Sequence, residues 1–192
     1  MLDIIGIIYF TLSNLYLLGN FPINIYEFLD LKAGYTLSDY GLLFETGSYF
    51  SMSAIITGLL CGLDAITNPI YKTVGISKKL YNLHLLSSFA LIGIGIYPVT
   101  LIPQYPSRIL HWVFALSFLI IYPLSRILIV KRFNKKIYKQ LLTAFLITLI
   151  LTIITTLGLK MSIVLYPEQL IWLGVMFVII ISKIVISKKI TK

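Results

Sequence analysis

The chain has 192 residues, of which 58% are hydrophobic and only 12% are charged, and its mean hydropathy is +0.94. Soluble domains are about 45–50% apolar and about 25% charged, so a water-soluble fold of this size could not bury so much apolar surface. The composition excludes a soluble globular protein and indicates an all-α protein embedded in a lipid bilayer.

The net charge of +9 does not indicate a nucleic-acid-binding protein. In such proteins basic residues line one face among polar neighbours, whereas here Lys and Arg fill short gaps between long apolar runs. We therefore expect the lipid bilayer as the partner, with other membrane-protein subunits as a second class, and no nucleic acid. The single cysteine, Cys61, lies within an apolar run and excludes an intramolecular disulfide.

Six apolar runs follow one another, each close to the about 20 residues that a membrane crossing requires. They cover residues 2–19, 42–66, 80–103, 109–130, 141–159 and 169–187. The first run has no basic region before it and no cleavage site after it, so we expect a retained helix. The sequence predicts one domain of six transmembrane helices over residues 1–192.

Most basic residues lie on one side of the predicted membrane. Thirteen of the sixteen Lys and Arg residues fall at the C-terminus, after the second and fourth runs, or near the same ends of runs, as Arg126 and Lys183 do. We expect those two side chains to extend towards the headgroups. The positive-inside rule then predicts a multi-pass protein of the cell membrane with both termini in the cytoplasm.

The longest predicted connection, residues 20–40, lies on the outer side. Asn24 and Glu27 resemble a helix-capping pair and are followed by Phe28, Leu29 and Leu31. We expect a short amphipathic helix on the outer membrane surface there.

Ionisable side chains within the runs are candidates for function because a charge inside a membrane is costly, and we select four of them. They are Glu45, Asp64, His84 and His111. Asp64 and His84 both lie near the inner ends of their runs, so an interfacial ion pair is expected, with a proton relay as the alternative.

Glu45 and His111 both belong to the outer half of the membrane. With Ser48 and Tyr97 they would line an outward-opening polar crevice among the second, third and fourth helices, suited to a lipid headgroup or a proton. A buried hydrogen bond that only fixes helix packing is the equal alternative.

The sequence predicts one helix-packing face, in the second run, and two kinks, in the third and fourth runs. Small residues recur at spacings of three and four in the second run, which predicts a face that packs closely against another helix. They are Gly47, Ser51, Ala54, Gly58 and Gly62. Pro98 and Pro123, within the third and fourth runs, predict kinks.

Nothing in the sequence indicates catalysis, a metal or a cofactor. His84 and His111 are separated by roughly 20 Å or more in depth, so they cannot be the two axial ligands of one haem. Metal-ligand spacings and nucleotide-binding motifs are lacking, and Glu45 with His111 is the only acid–base pair at matched depth. A binding or structural role is favoured over an enzyme.

Three short motifs carry a resemblance: Ser38–Gly41 before the second helix, Gly93–Pro98 in the third, and His111 at the head of the fourth. Over residues 36–125 the chain resembles uncharacterised prokaryotic relatives of the DRAM/FRAG/SFK group of six-helix membrane proteins. The resemblance implies lipid handling or membrane trafficking rather than a reaction.

Three functional hypotheses follow. The first is lipid binding or scaffolding through the outward-facing crevice of helices two to four. The second is a small integral subunit of a larger membrane complex. The third is a small transporter or proton-linked carrier, which the sequence favours less because it contains kinking prolines but no persuasive internal repeat and almost no charge at the membrane midplane.

Overall fold

A computed structural model describes residues 1–20, 47–68, 71, 75–97, 106–158 and 165–190. The predicted amphipathic segment, Glu45 and Pro98 lie outside the described residues. The bundle consists of α1 (Leu2–Asn20), α2 (Gly47–Thr67), α3 (Lys78–Ile96), α4 (residues 106–130), α5 (Lys135–Gly158) and α6 (Leu165–Ile190).

These helices are apolar enough for a membrane, which is compatible with the predicted membrane protein. Five of them, α2 to α6, each contain a segment long and apolar enough to cross a bilayer, and α1 contributes the shorter apolar segment Leu2–Leu17. The structure is therefore an all-helical apolar bundle, as the composition predicts.

Helix boundaries differ from the predicted runs where a helix leaves the hydrocarbon. Helix α5 begins at Lys135 rather than at residue 141, because Asn134 caps it: its Oδ1 accepts hydrogen bonds from the Lys136 and Ile137 N–H groups, both at 3.0 Å. Helix α6 is longer than predicted at both ends. Hydropathy detects the apolar part of a helix, whereas caps determine its ends.

Just before Pro123, where the sequence predicts a kink, α4 contains a π-helical segment. The helix is α-helical over Pro106–Leu116, π-helical over Ser117–Ile121 and α-helical again over Tyr122–Val130. Pro123 has no N–H to donate and its ring crowds the preceding turn, so the extra residue of a wide π-turn relieves both problems.

Each helix packs against the next one in the chain, α4 also packs against α6, and α5 lies at the edge of the bundle. Helix α2 packs against α1 and α3, α4 packs against α3 and α6, and α5 contacts α6 and the last turns of α4. Only 11% of the apolar window of α5 is buried in the bundle, against 44–50% in the other four windows. One side of α5 is thus left to lipid or to a partner.

The centre of the bundle is an aromatic core shared by α1, α2, α4 and α6. The Phe10 ring lies 4.9 Å from Trp172 and 6.1 Å from Phe50, and Phe118 lies 6.0 Å from Trp172. The Trp172 indole N–H donates to Thr11 Oγ1 at 3.1 Å, so the ring is buried with its one polar atom satisfied.

Small residues allow α2 and α3 to approach closely. A Cβ added to Gly58 would lie 2.8 Å from the backbone N of Ile92, and one added to Gly62 would lie 2.5 Å from the Phe89 ring. The predicted small-residue face of α2 therefore includes the positions at which α3 lies against it.

Candidate functional site

Four charged side chains meet inside one end of the bundle. Asp3 lies at the start of α1, and Asp64, Arg126 and Lys183 lie near the ends of α2, α4 and α6. We call these four residues the charge cluster. The end of the bundle that holds them is the basic end, because the lysine-rich turn between α4 and α5 lies there. Both described termini of the chain are at this end.

Each acid in the charge cluster contacts both bases. An Arg126 Nη atom donates to Asp3 Oδ2 and lies 3.8 Å from Asp64 Oδ2. Lys183 Nζ lies 3.0 Å from Asp3 Oδ1 and 2.9 Å from Asp64 Oδ2. The four side chains carry two negative and two positive charges, so the charge cluster is neutral and joins four helices.

The charge cluster is buried, so its positive and negative charges must balance. Asp3, Asp64 and Arg126 are 0%, 3% and 1% exposed, and the side chain of Lys183 is 16% exposed. An unpaired charge at such a depth would be costly, whereas a balanced set with hydrogen bonds is tolerated. The Met1 amino group also lies against Asp64, and its partial burial lowers its pKa.

The cluster differs from the predicted pairing of Asp64 with His84. Asp64 is paired with Lys183 and Arg126, and His84 has a different partner, Ser125 on α4. Arg126 and Lys183 do not extend towards the headgroups as expected but turn inward to the two acids.

His84 is held in a stack of aromatic rings beside the cluster. Its ring lies 5.3 Å from Tyr71 and 4.7 Å from Tyr122, and Nδ1 lies 2.6 Å from Ser125 Oγ. Ser125 Oγ donates to the Tyr122 carbonyl at 2.7 Å, so it accepts from Nδ1–H of His84. Burial raises the pKa of Tyr71, which keeps this phenol neutral.

Two buried nitrogen atoms are left over near this point. His84 Nε2 and Arg126 Nε have no hydrogen-bond partner among the described residues. The Arg126 guanidinium lies 5.6 Å from the centre of the Tyr122 ring, and an Nη atom donates to the Tyr122 hydroxyl at 3.3 Å. The ring stack and the charge cluster are thus one connected polar region.

At the opposite end, His111 ties α4 to the end of α3. Its Nδ1 donates to the Tyr97 carbonyl oxygen at 2.8 Å, which satisfies an acceptor that the end of α3 would otherwise leave open. The Tyr97 ring stacks on Phe114 at 5.9 Å. These two crevice candidates therefore meet through the Tyr97 backbone, and this contact stabilises helix packing.

Ser48 lines a different feature, a groove between α1 and α2 with a volume of about 570 Å³. We call it the aromatic groove. Its lining contains three tyrosines, two serines and two apolar residues: Tyr9, Leu12, Ser13, Tyr16, Ser48, Tyr49 and Met52. Ser48 and the His111–Tyr97 contact thus occupy separate places, and Glu45 lies outside the described residues.

The described residues do not form a metal site. Within them, no group of three or more His, Cys, Asp or Glu side chains comes together in a way that could hold a metal ion. Cys61 is buried beside the Asp3 carbonyl oxygen, with its sulfur 4.0 Å away.

Sequence reasoning omitted Asp3, Arg126 and Lys183 from the candidate residues. A signal was present, since all three are charges that lie inside or at the edge of apolar runs, at the same end of the bundle as Asp64. Two acids and two bases at one depth indicate mutual pairing.

Comparison with known proteins adds no assignment to this geometry: no family model, no curated protein and no solved structure matches the chain.

Proposed function

We propose that the protein is a non-catalytic, multi-pass protein of the cell membrane that binds lipid, and that the aromatic groove is its lipid site. The proposal retains the predicted lipid-binding role but moves it from a crevice of α2 to α4 to the groove between α1 and α2. The lining of this groove is the observation that carries the proposal.

The groove has the length of an acyl-chain segment. Tyr9 and Tyr16 lie about 10 Å apart along α1, at about 1.5 Å per residue. Half of the hydrocarbon core is about 15 Å thick, so the groove covers much of one leaflet. Ser48 and Tyr49, in the first described turn of α2, add hydroxyl groups to the lining of the groove.

The chemistry of the lining favours an uncharged or zwitterionic lipid. None of the described residues that line the groove is charged, and Tyr9, Tyr16 and Tyr49 are each at least 40% exposed. Aromatic rings with hydroxyl groups bind both chain and headgroup regions, as they do in membrane interfaces generally. With the basic end in the cytoplasm, the occupant belongs to the outer leaflet.

Photocrosslinking tests this site. Protein reconstituted with a phosphatidylcholine that carries a diazirine on one chain should be labelled on α1 and α2. Leu12→Trp, which fills the groove, should abolish the labelling. Leu15→Trp on the same helix is the matched control, since Leu15 is 57% exposed but does not line the groove. Equal labelling of both variants would refute the proposal.

The proposed orientation has its own test. A cysteine placed at Lys139 in a Cys61→Ala background should resist a membrane-impermeant maleimide applied to intact cells and react after lysis. Reaction in intact cells would reverse the assignment of the basic end to the cytoplasm and, with it, the leaflet of the lipid.

A second candidate, a small subunit of a larger membrane complex, is favoured by the exposed side of α5. Ile150, Ile153, Ile154 and Leu157 are each more than 50% exposed in the bundle. Gentle purification should then yield a stoichiometric partner that Ile153→Trp releases.

A third candidate, a proton-linked carrier, is favoured by the buried charge cluster. It predicts a proton flux in proteoliposomes that Asp64→Asn abolishes. We also propose a relationship to the DRAM/FRAG/SFK group, on the residues already given; among these, Gly93–Tyr97 and His111 lie together, and Ser38–Gly41 lie outside the described residues.

A further inference from the structure

We infer that the protein has a second lipid site, at the basic end, which binds an anionic phospholipid of the inner leaflet between α3 and the α4–α5 turn. This inference does not depend on the aromatic groove, which lies between other helices and whose described lining is uncharged. It rests on a groove of about 700 Å³ that combines cations with leucines.

The polar rim of this groove consists of four basic side chains and one hydroxyl. We call the feature the basic groove; its lining is Ser77, Lys79, Leu80, Leu83, Leu128, Lys131, Arg132 and Lys135. The cations come from two parts of the chain, the first turn of α3 and the segment that joins α4 to α5. They therefore surround the groove rather than follow one helix face.

No carboxylate of the described chain neutralises the lysines of this rim. Neither Lys79 nor Lys135 forms an ion pair with a described residue, and Lys131 lies over the Tyr138 ring at 5.3 Å. The two described acids at this end, Asp3 and Asp64, are paired with Arg126 and Lys183. The neutral charge cluster thus leaves the rim with an excess of positive charge.

The rim is held in place by backbone contacts. Arg132 donates from Nη1 to the Gly75 carbonyl oxygen at 2.5 Å, which ties the α4–α5 turn to the connection before α3. Gly75 has a φ of +59°, a left-handed conformation that suits glycine. Ser77 and Asn134 cap α3 and α5 beside the groove, so two helix N-termini add positive potential there.

The wall of the groove is apolar and selects a lipid over a soluble anion. Leu83 and Leu128 are each 40% exposed and line the groove on the membrane side of the cations. Leu86, about one turn deeper in α3, is 71% exposed. A phospholipid whose phosphate binds the rim would therefore place its acyl chain along the leucine side chains. Inorganic phosphate would leave these side chains uncovered.

The alternative explanation is that these lysines only set membrane orientation, which requires positive charge at this end but no particular placement. Lys136 and Lys139 are also exposed on the first turns of α5 and do not line the groove. They provide a control for Lys79 and Lys135, because neutralising two lysines removes the same amount of charge from the same end of the bundle.

The experiment is native mass spectrometry of detergent-solubilised protein titrated with phosphatidylglycerol, with phosphatidylcholine as the neutral reference. Lys79→Gln with Lys135→Gln should weaken phosphatidylglycerol binding about tenfold, since each basic residue near the surface contributes substantially to anionic-lipid affinity. Lys136→Gln with Lys139→Gln should change it less than twofold. Arg132 is left intact in both pairs, so the turn keeps its Gly75 contact.

A second pair of variants tests the apolar wall. Leu83→Phe with Leu128→Phe fills the groove without changing charge and should reduce phosphatidylglycerol binding at least fivefold, whereas Leu86→Phe should not. Inorganic phosphate should not displace the lipid. Equal losses in the two lysine pairs, retention in the filled variant, or displacement by phosphate would each overturn the inference. Loss of the aromatic-groove crosslink leaves it intact.

Discussion

Replacing Asp3 by Asn removes one negative charge from the charge cluster and changes little else. The Asp3 side chain also accepts a hydrogen bond from the Ile4 N–H at 2.9 Å, and an Asn oxygen can do the same. After the change, Arg126, Lys183 and the Met1 amino group all face Asp64 as their one remaining acid, so positive charge is left unbalanced in a site where Asp3 is 0% exposed. Asp3→Asn therefore isolates the cost of lost charge balance.

The expected cost follows from the burial of the partners. Removing one member of a buried ion pair typically destabilises a protein by about 3–5 kcal/mol, because the remaining charge is left without compensation. Asp3→Asn and Arg126→Met should each fall in this range. The double variant should lose no more than about 2 kcal/mol, because Asp64 and Lys183, 2.9 Å apart, remain as a neutral pair.

Reversible unfolding in mixed micelles, followed by tryptophan fluorescence, measures the four stabilities of this double-mutant cycle. The expected coupling between Asp3 and Arg126 is about 4 kcal/mol or more, which is the sum of the two single losses less the double loss. Lys188→Met, an exposed change on α6, should remain within about 0.5 kcal/mol of the parent. If the two single losses add to give the double loss, the four residues are independent contacts and not one balanced cluster.

Three further changes test the packing of the bundle in the same unfolding assay. Gly58→Ala places a Cβ against the backbone of α3 and should cost about 1–3 kcal/mol; an unchanged stability would show that α2 and α3 are further apart. His111→Leu leaves the Tyr97 carbonyl without its donor and should cost about 1–3 kcal/mol, and a smaller loss would remove this residue from the role of a cap. Ser125→Ala leaves the Nδ1–H group of His84 without its acceptor and should also cost about 1–3 kcal/mol. An unchanged stability would require another acceptor for this group.

The sequence predicts the depth of residues in the membrane well, but it predicts the rotation of each helix about its axis poorly. Apolar runs locate the helices because a hydrocarbon core sets their length, and the small residues of α2 predict a packing face because a missing side chain is itself local information. Depth alone, however, suggested that Asp64 would meet His84. The rotation of α3 instead turns His84 towards Ser125, and Asp64 faces Lys183 on α6. That rotation depends on contacts between helices far apart in the chain, which one sequence does not reveal.

The sequence does not predict the charge cluster, for a related reason. Arg126 and Lys183 have long side chains near helix ends, and such residues commonly reach the headgroups. Whether they do so depends on whether an acid lies within reach at the same depth. Asp3 provides one, but it lies at the very start of α1, where an acid is also expected simply to favour the positive end of the helix dipole. Two ordinary local explanations thus concealed one non-local interaction.

Helix α4 connects the two ends of the molecule. Its first part carries His111, which holds α3, and its last part carries Arg126, which holds Asp3. A regular helix would fix the rotation of both residues together. The π-helical segment at Ser117–Ile121 changes that rotation between them, and it sets Phe118 and Tyr122 5.0 Å apart with nearly parallel rings. The π-helical segment ends two residues before Pro123, so the change of rotation between His111 and Arg126 lies next to a residue that cannot donate a backbone hydrogen bond.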